Sequence, residues 1–231
     1  MDHHHQEDHF KGSETIRDIV IGMSDGLTVP FALTAGLSGA VQSNTIIITA
    51  GVAEIIAGSI AMGLGGYLAG KTEYDHYFAE LKREYHEVEV VPEKEKMEIE
   101  EILTDYGISA QVKRDFVNEL AENKDKWVNF MMKFELGLEE PVLNRARNSA
   151  ITIAIAYIVG GFIPMLSYFF TDRPSTGLYY SVGITLIALF LFGYFKNKAI
   201  GENPYTGALK TTIIGILAAG SAFLIARLVS S

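Results

Sequence analysis

Three side chains that could bind a metal ion lie within two long apolar stretches near the start of the chain. Asp25 and Glu54 are carboxylates, Met62 is a thioether, and no charged residue occurs at positions 26–53. An ionisable side chain at membrane depth is costly, and it usually faces a protein interior and marks an ion or substrate path. Carboxylate and thioether together suit a divalent transition metal. These residues therefore predict a metal-ion pathway across a membrane.

The spacing of these residues predicts their relative depth. A short polar turn at residues 42–44 makes the two apolar helices antiparallel neighbours. We take the first span to enter the membrane near Arg17 and the second to leave it near Gly70. With a rise of ~1.5 Å per residue, Asp25 and Met62 then each lie ~12 Å in from that side. The two side chains thus reach the same depth. Glu54, Gly58 and Met62 recur every four residues and share one helix face, with Glu54 deeper along the path.

A second set of possible ligands lies in a strongly acidic insert. Residues 71–147 contain 19 acidic and 12 basic side chains, a net charge of −7, so this segment does not span lipid. Its acids recur at helical spacing, which places several of them on shared helix faces. The candidates are Glu80, Glu84, Glu87, Glu95, Glu98 and Glu135, with Met131 and Met132 one turn before the last of these. On spacing alone, solvated surface acids are the better interpretation, and a convergent metal site is the alternative.

The elements that must position these residues are all helical. Apolar blocks predict five membrane helices, each near the ~20 residues that a bilayer requires. They are expected at residues 15–41, 45–70, 149–171, 179–195 and 206–228. In the insert we expect helices over 74–91, 92–106 and 109–138, with Gly107 ending the second and Ser109 capping the third.

The predicted fold class is therefore an all-α membrane protein with five transmembrane helices. A three-helix acidic domain is inserted between the second and third of them, and the family resemblance given below implies that it is a cytosolic metal-binding domain. The expected domains are a disordered His-containing tail (1–14), the pore-forming helices 1 and 2 (15–70), the acidic helical domain (71–147) and helices 3 to 5 (148–231).

Composition excludes several classes of function. The chain has no cysteine, so neither disulfides nor thiolate metal sites are available. Its net charge of −9 argues against nucleic-acid binding and favours attraction of cations. A ferritin-like di-iron oxidase needs two Glu-x-x-His units, and only Glu73 and His76 form one. We expect a transport protein that carries no cofactor, and not an enzyme.

Lysine and arginine are distributed unevenly between the ends of the predicted helices. By the positive-inside rule, the side that carries more of them is cytosolic. Most lie at the N-terminal flank, at the edges of the insert and between helices 4 and 5: Lys11, Arg17, Lys71, Arg145, Arg147, Lys196, Lys198 and Lys210. The opposite side has only Arg173 and Arg227. The N-terminus and the insert are therefore expected in the cytosol, and the C-terminus in the lumen.

Several of these features together resemble the vacuolar iron transporters, most closely the plant members, which are related to the yeast vacuolar iron importer. They are the run Asp25-Gly26-Leu27-Thr28-Val29-Pro30, the segment around Glu54 and Met62, the acidic insert and the five spans. The resemblance covers nearly the whole chain after the tail, and the first-span motif is its most specific part.

The resemblance implies a homodimer in the vacuolar membrane that moves Fe²⁺ from cytosol to vacuole in exchange for protons. The path would lie at the dimer interface, formed by the first two helices. Asp25 and Met62 match the metal ligands of the pore, and Glu54 matches an acid for metal or proton passage. The ligands of the cytosolic domain are matched by Glu84, Glu87, Glu95, Glu98, Met131, Met132 and Glu135. The resemblance thus favours the metal-site interpretation of the insert.

Two alternatives remain at this stage. A membrane-anchored metal sensor would bind divalent ions in the insert without transport, although an anchor has no use for a thioether and two acids within its spans. A proton-independent channel would use the same ligands. The same ligand set also fits Mn²⁺, Co²⁺ or Zn²⁺.

Overall fold

The computed structural model describes residues 12–230, and all the regular secondary structure in that range is helical. Eight α-helices follow one another, with one 3₁₀ helix, Leu166–Phe170, between the sixth and the seventh. They are α1 (Gly12–Ala40), α2 (Asn44–Val90), α3 (Pro92–Asp105), α4 (Ala110–Ala121), α5 (Lys124–Phe134), α6 (Arg145–Met165), α7 (Pro174–Ala199) and α8 (Pro204–Ser230).

Five of the helices described here are long and apolar enough to cross a bilayer: α1, α2, α6 with its 3₁₀ extension, α7 and α8. A helix satisfies its own backbone hydrogen bonds, which is what a span through lipid requires. The prediction of an all-α chain with five apolar spans is confirmed.

Helix α2 is much longer than a membrane span. Its 47 residues extend ~70 Å at ~1.5 Å per residue, against a hydrocarbon core of ~30 Å. Charged residues first become frequent at Lys71, so the first half of the helix has the composition of a membrane span and the second half does not. The expected second membrane helix and the expected helix over 74–91 thus form one continuous helix in the structure.

Tertiary contacts divide the described chain into two compact units. The first contains the described residues up to Tyr67 and from Ala146 onward, and the second is Leu68–Arg145. In the first unit α1 packs against α7 and α8, and α7 packs against α8. The predicted tail covers residues 1–14. Its residues 1–11 lie outside the described residues, and residues 12–14 belong to α1.

The second unit has its own apolar core, formed where the end of α2 meets α3, α4 and α5. Helix α5 contributes four buried side chains from two successive turns to this core: Trp127, Val128, Met131 and Met132. This core fixes the orientation of each of the four helices, and that orientation determines where their acids lie.

The insert differs from the prediction at its third helix. The expected single helix over 109–138 is wrong, because the chain breaks at Glu122 and restarts with Asn123 as N-cap. The Asn123 side chain accepts a 3.0 Å hydrogen bond from the Lys126 backbone N–H, which satisfies a donor that a new helix start leaves unpaired. Gly107 ends α3 as expected, with φ 75°. Ser109 occupies the N-cap of α4, but its side chain makes no capping hydrogen bond.

Candidate functional site

Helix α6 sets the register between α1 and α2. Three of its residues, one turn apart, each contact both of the other helices. Ile153 meets Gly22 and Gly66, Tyr157 meets Gly26 and Gly58, and Gly161 meets Pro30 and Ile55. Four of these positions on α1 and α2 are glycines at which a β-carbon would collide with α6. The small residues therefore allow the close approach that fixes the three helices in one register.

This register places Asp25 and Met62 at one level. Asp25 lies between Gly22 and Gly26 on α1, and Met62 lies between Gly58 and Gly66 on α2. Those glycines contact the same two successive turns of α6. Both side chains are half-buried. The geometry agrees with the depth relation that the helix spacing predicts.

Glu54 is held by a tyrosine from α6. The Tyr157 hydroxyl donates a hydrogen bond to Oε1 of Glu54. The other carboxylate oxygen, Oε2, is buried and has no hydrogen-bond partner within the described chain. Tyr157 is itself 2% exposed, and its ring lies over Gly58, where a β-carbon would overlap the hydroxyl.

Tyr157 is a candidate site residue that the sequence analysis missed. It is the one hydroxyl-bearing aromatic within the apolar stretch 151–165, and this was the available signal. A buried tyrosine hydroxyl usually has a hydrogen-bond partner, so its presence in a membrane helix indicated a polar group on a neighbouring helix. The sequence pattern did not give the register of α6, so it could not identify Glu54 as the partner of this hydroxyl.

In the second unit, three of the predicted acids converge. One carboxylate oxygen from each of Glu84, Glu95 and Glu135 lies within 4.8 Å of the others. Glu84 comes from the end of α2, Glu95 from the first turn of α3 and Glu135 from the C-cap of α5. Glu84 and Glu95 are each 1% exposed. The structure thus brings together one acid from each of the three predicted faces.

The buried acids of this cluster lack partners among the described residues. Both oxygens of Glu95, and Oε2 of Glu84, are buried without a hydrogen-bond partner. Buried polar groups in native proteins are nearly always paired, so each exception needs an explanation such as an ion. A divalent cation bound between the carboxylates would supply the missing partner and balance their charge.

The electrostatics of the cluster also favour a cation bound between the carboxylates. Burial, and then the charges of Glu135 and Glu87, raise the pKa of Glu84 from its ordinary 4.5 to about 7. Burial, and then the charge of Glu98, raises the pKa of Glu95 to about 7. Burial also raises the pKa of Glu135. Carboxylates this close to one another are not all ionised at neutral pH without a cation between them.

The remaining predicted ligands lie beside this cluster or in the core next to it. Glu87 and Glu98 are half-buried, and both act electrostatically on Glu84 and Glu95. Met131 and Met132 are buried in the core of the unit, on the helix that ends at Glu135. The sequence analysis did not single out Arg83, whose guanidinium lies within ion-pair distance of two of these carboxylates, Glu84 and Glu87.

Comparison with known proteins identifies the family. The model of the VIT family matches residues 16–227. The chain belongs to the VIT family. The match covers both units and all the candidate site residues, and the resemblance to the vacuolar iron transporters is confirmed.

Several relatives match over most of their length. Vacuolar iron transporter 1 of Arabidopsis thaliana is 54% identical over 98% of this chain and 90% of its own length. Vacuolar iron transporter 1 of Tulipa gesneriana is 52% identical over 98% of this chain and 92% of its own length. The Saccharomyces cerevisiae protein CCC1 is 40% identical over 92% of this chain and 68% of its own length. VIT family members are named as transporters, so the expectation that the chain is not an enzyme is confirmed.

Proposed function

We propose that the protein transports Fe²⁺ from the cytosol into the vacuole, in exchange for protons. The observation that carries the proposal is the polar level inside the apolar bundle, where Asp25 and Met62 share a depth and Glu54 lies beyond them. Two carboxylates and a thioether within membrane helices have no structural use in an anchor. The names of the curated relatives, vacuolar iron transporters from several plants, support the choice of cargo and compartment.

The second unit captures the ion in this proposal. The partnerless oxygens of Glu84 and Glu95 support a cation site there, with Glu135 as third carboxylate. The full proposed ligand set is Glu84, Glu87, Glu95, Glu98, Met131, Met132 and Glu135. Capture at the cytosolic side raises the local concentration of the ion at the entrance to the membrane path.

Ligand chemistry determines which ions pass. Mg²⁺ and Ca²⁺ take oxygen ligands, so the Met62 thioether disfavours them relative to Fe²⁺. Mn²⁺, Co²⁺ and Zn²⁺ share enough of this chemistry to compete. Protonation of Asp25 or Glu54 from the acidic lumen would release the metal and return a proton, which couples the two fluxes.

The working unit is proposed to be a homodimer with its N-terminus and second unit in the cytosol and its C-terminus in the lumen. The excess of lysine and arginine at one set of helix ends supports this orientation. The path would run between the α1 and α2 helices of the two copies. Small residues exposed on α2 in the single chain, among them Ala57, Ala61 and Gly65, support close packing of a second copy.

The test is uptake of Fe²⁺ into proteoliposomes under anaerobic reducing conditions, with and without an acidic interior. We expect uptake to rise with the inward-acid gradient and to be accompanied by proton efflux. Uptake that does not depend on the proton gradient would indicate a proton-independent channel. Metal binding without any uptake would contradict transport and favour the membrane-anchored sensor.

Two matched variants test whether Fe²⁺ uptake depends on Asp25. Asp25→Asn should lower the initial uptake rate by about tenfold or more, since a charge-assisted contact contributes roughly 1.5–3 kcal/mol. Asp172→Asn removes the same charge from an exposed loop and should leave the rate unchanged. Equal rates in wild type and Asp25→Asn would contradict the assignment of Asp25.

A further inference from the structure

One cation already contacts the acid cluster of the second unit. Within the described chain, Arg83 is the residue whose charged group lies within ion-pair distance of Glu84, at 3.7 Å between Nη2 and Oε1. Its Nε lies 3.6 Å from Oε2 of Glu87. Both acids belong to the proposed ligand set. The positive charge of the guanidinium therefore already lies beside two carboxylates that a bound metal ion would need.

The shortest ion pair of Arg83 is with an acid outside that set. Its Nη1 lies 2.7 Å from Oε2 of Glu80, one turn earlier on α2. The contacts to Glu87 and Glu84, at 3.6 and 3.7 Å, are longer than a hydrogen bond. Glu80 thus anchors the guanidinium, while the other two acids hold it loosely. Glu80 shares a helix face with Glu84 and Glu87 but does not belong to the proposed ligand set. Its role in this arrangement is to hold the guanidinium of Arg83.

The two charges cannot both occupy the site. A divalent ion bound by Glu84 and Glu87 would lie a few ångströms from the guanidinium, and arginine keeps its charge at all accessible pH. Repulsion between them is strong in a partly buried environment. The Arg83 side chain is 49% exposed, so it can move into solvent without disturbing the core.

We propose that Arg83 is the internal counter-ion of the metal-free acid cluster, anchored by Glu80, and that it releases Glu84 and Glu87 when metal binds. The inference depends on the proposed capture of metal by the second unit. It predicts that Arg83 lowers the metal affinity of the site and stabilises the metal-free state. A capture site that must pass its ion on to the membrane path benefits from this competition, because the ion is held less tightly.

The residue next to Arg83 provides a matched control. Lys82 carries the same charge on the neighbouring residue, is exposed, and forms no ion pair within residues 12–230. Replacing either residue with glutamine changes the net charge by the same amount. Only Arg83→Gln removes the contacts to the cluster, so any difference between the variants reports those contacts.

The experiment is titration of the full-length protein in detergent with Mn²⁺, an air-stable divalent probe, by calorimetry. Glu95→Gln identifies which binding event belongs to the cluster. For that event we expect Arg83→Gln to lower Kd by about fivefold or more and Lys82→Gln to change it by less than about twofold. Thermal unfolding should show Arg83→Gln less stable than wild type without metal and equal to it with saturating Mn²⁺.

Unchanged or weaker Mn²⁺ binding by folded Arg83→Gln would overturn the inference, as would equal effects of the two glutamine variants. Arg83→Lys, which keeps the charge and loses the planar fork, covers the case in which the glutamine variant fails to fold. Its Kd should lie between those of wild type and Arg83→Gln, and a Kd at or above the wild-type value would count against the inference. A wild-type chain that binds no Mn²⁺ at the cluster would contradict capture itself, a result distinct from these.

Discussion

At the scale of single residues, the contact between Tyr157 and Glu54 is the most specific feature of the proposed membrane path. The hydroxyl binds one carboxylate oxygen and leaves the other buried without a partner in the described chain. A carboxylate fixed in this way presents Oε2 in a defined direction to an ion or a proton. The hydrogen bond also reduces the cost of keeping an acid at this depth.

Removing the Tyr157 hydroxyl tests this view. Tyr157→Phe keeps the ring against Gly58 and leaves Glu54 without its donor, which costs roughly 1–3 kcal/mol for a buried acceptor. We expect the initial rate of Fe²⁺ uptake to fall by about tenfold while the protein remains folded. The matched control is Tyr180→Phe, an exposed tyrosine of α7, which should transport at the wild-type rate. Equal rates in both variants would remove Tyr157 from the path.

The raised pKa values of the acid cluster predict how stability depends on pH. Glu84 and Glu95 have a pKa of about 7 in the folded chain, against an ordinary value of 4.5. The unfolded chain therefore releases these protons first as the pH rises. Stability from this source is complete below 4.5 and is lost as the pH approaches 7.

Unfolding of the second unit in the presence of a chelator measures this effect. Trp127, the chain's one tryptophan, lies in the core of that unit, so its emission reports this unfolding. We expect Tm to be lower at pH 8 than at pH 5, by ~5 °C or more. Glu95→Gln should reduce this difference, whereas Glu101→Gln, an exposed acid of the same helix, should not. A Tm that rises from pH 5 to pH 8 in the metal-free wild type would contradict the prediction.

At the scale of helices, the sequence was informative where one physical requirement dominates. A span through lipid needs about 20 apolar residues, so all five membrane helices could be predicted from composition. The common depth of Asp25 and Met62 followed from helix rise alone. The break between α4 and α5 did not, since Asn123 is tolerated inside a helix and acts as a cap only if the chain turns there.

Convergence between helices was harder to predict than any single helix. Spacing placed Glu84 and Glu95 on faces of separate helices, and a solvated surface was then the better interpretation of those faces. Their burial depends on the apolar core around Trp127, which sets the angle between the helices. Tyr157 and Arg83 were missed for the same reason, because each matters only through a partner that folding brings to it.

At the scale of the whole molecule, the exposed stripe of small residues on α2 is not explained by packing within one chain. A β-carbon at Gly65 would meet nothing within 4 Å, and Ala57 and Ala61 are exposed as well. The structure of the single chain leaves the stripe uncovered, which favours the proposed homodimer.

A large side chain on this stripe should separate the two copies. Gly65→Leu adds apolar volume that lipid accepts and that close helix packing does not. We expect this variant to be monomeric in detergent, by light scattering after size exclusion, and to lose Fe²⁺ uptake because the path requires both copies. Gly183→Leu is the matched control, since Gly183 on α7 also has nothing within 4 Å of its β-carbon position; it should remain a dimer and transport normally. A dimeric, active Gly65→Leu would place the interface elsewhere, and a monomeric wild type that transports would contradict a path between two copies.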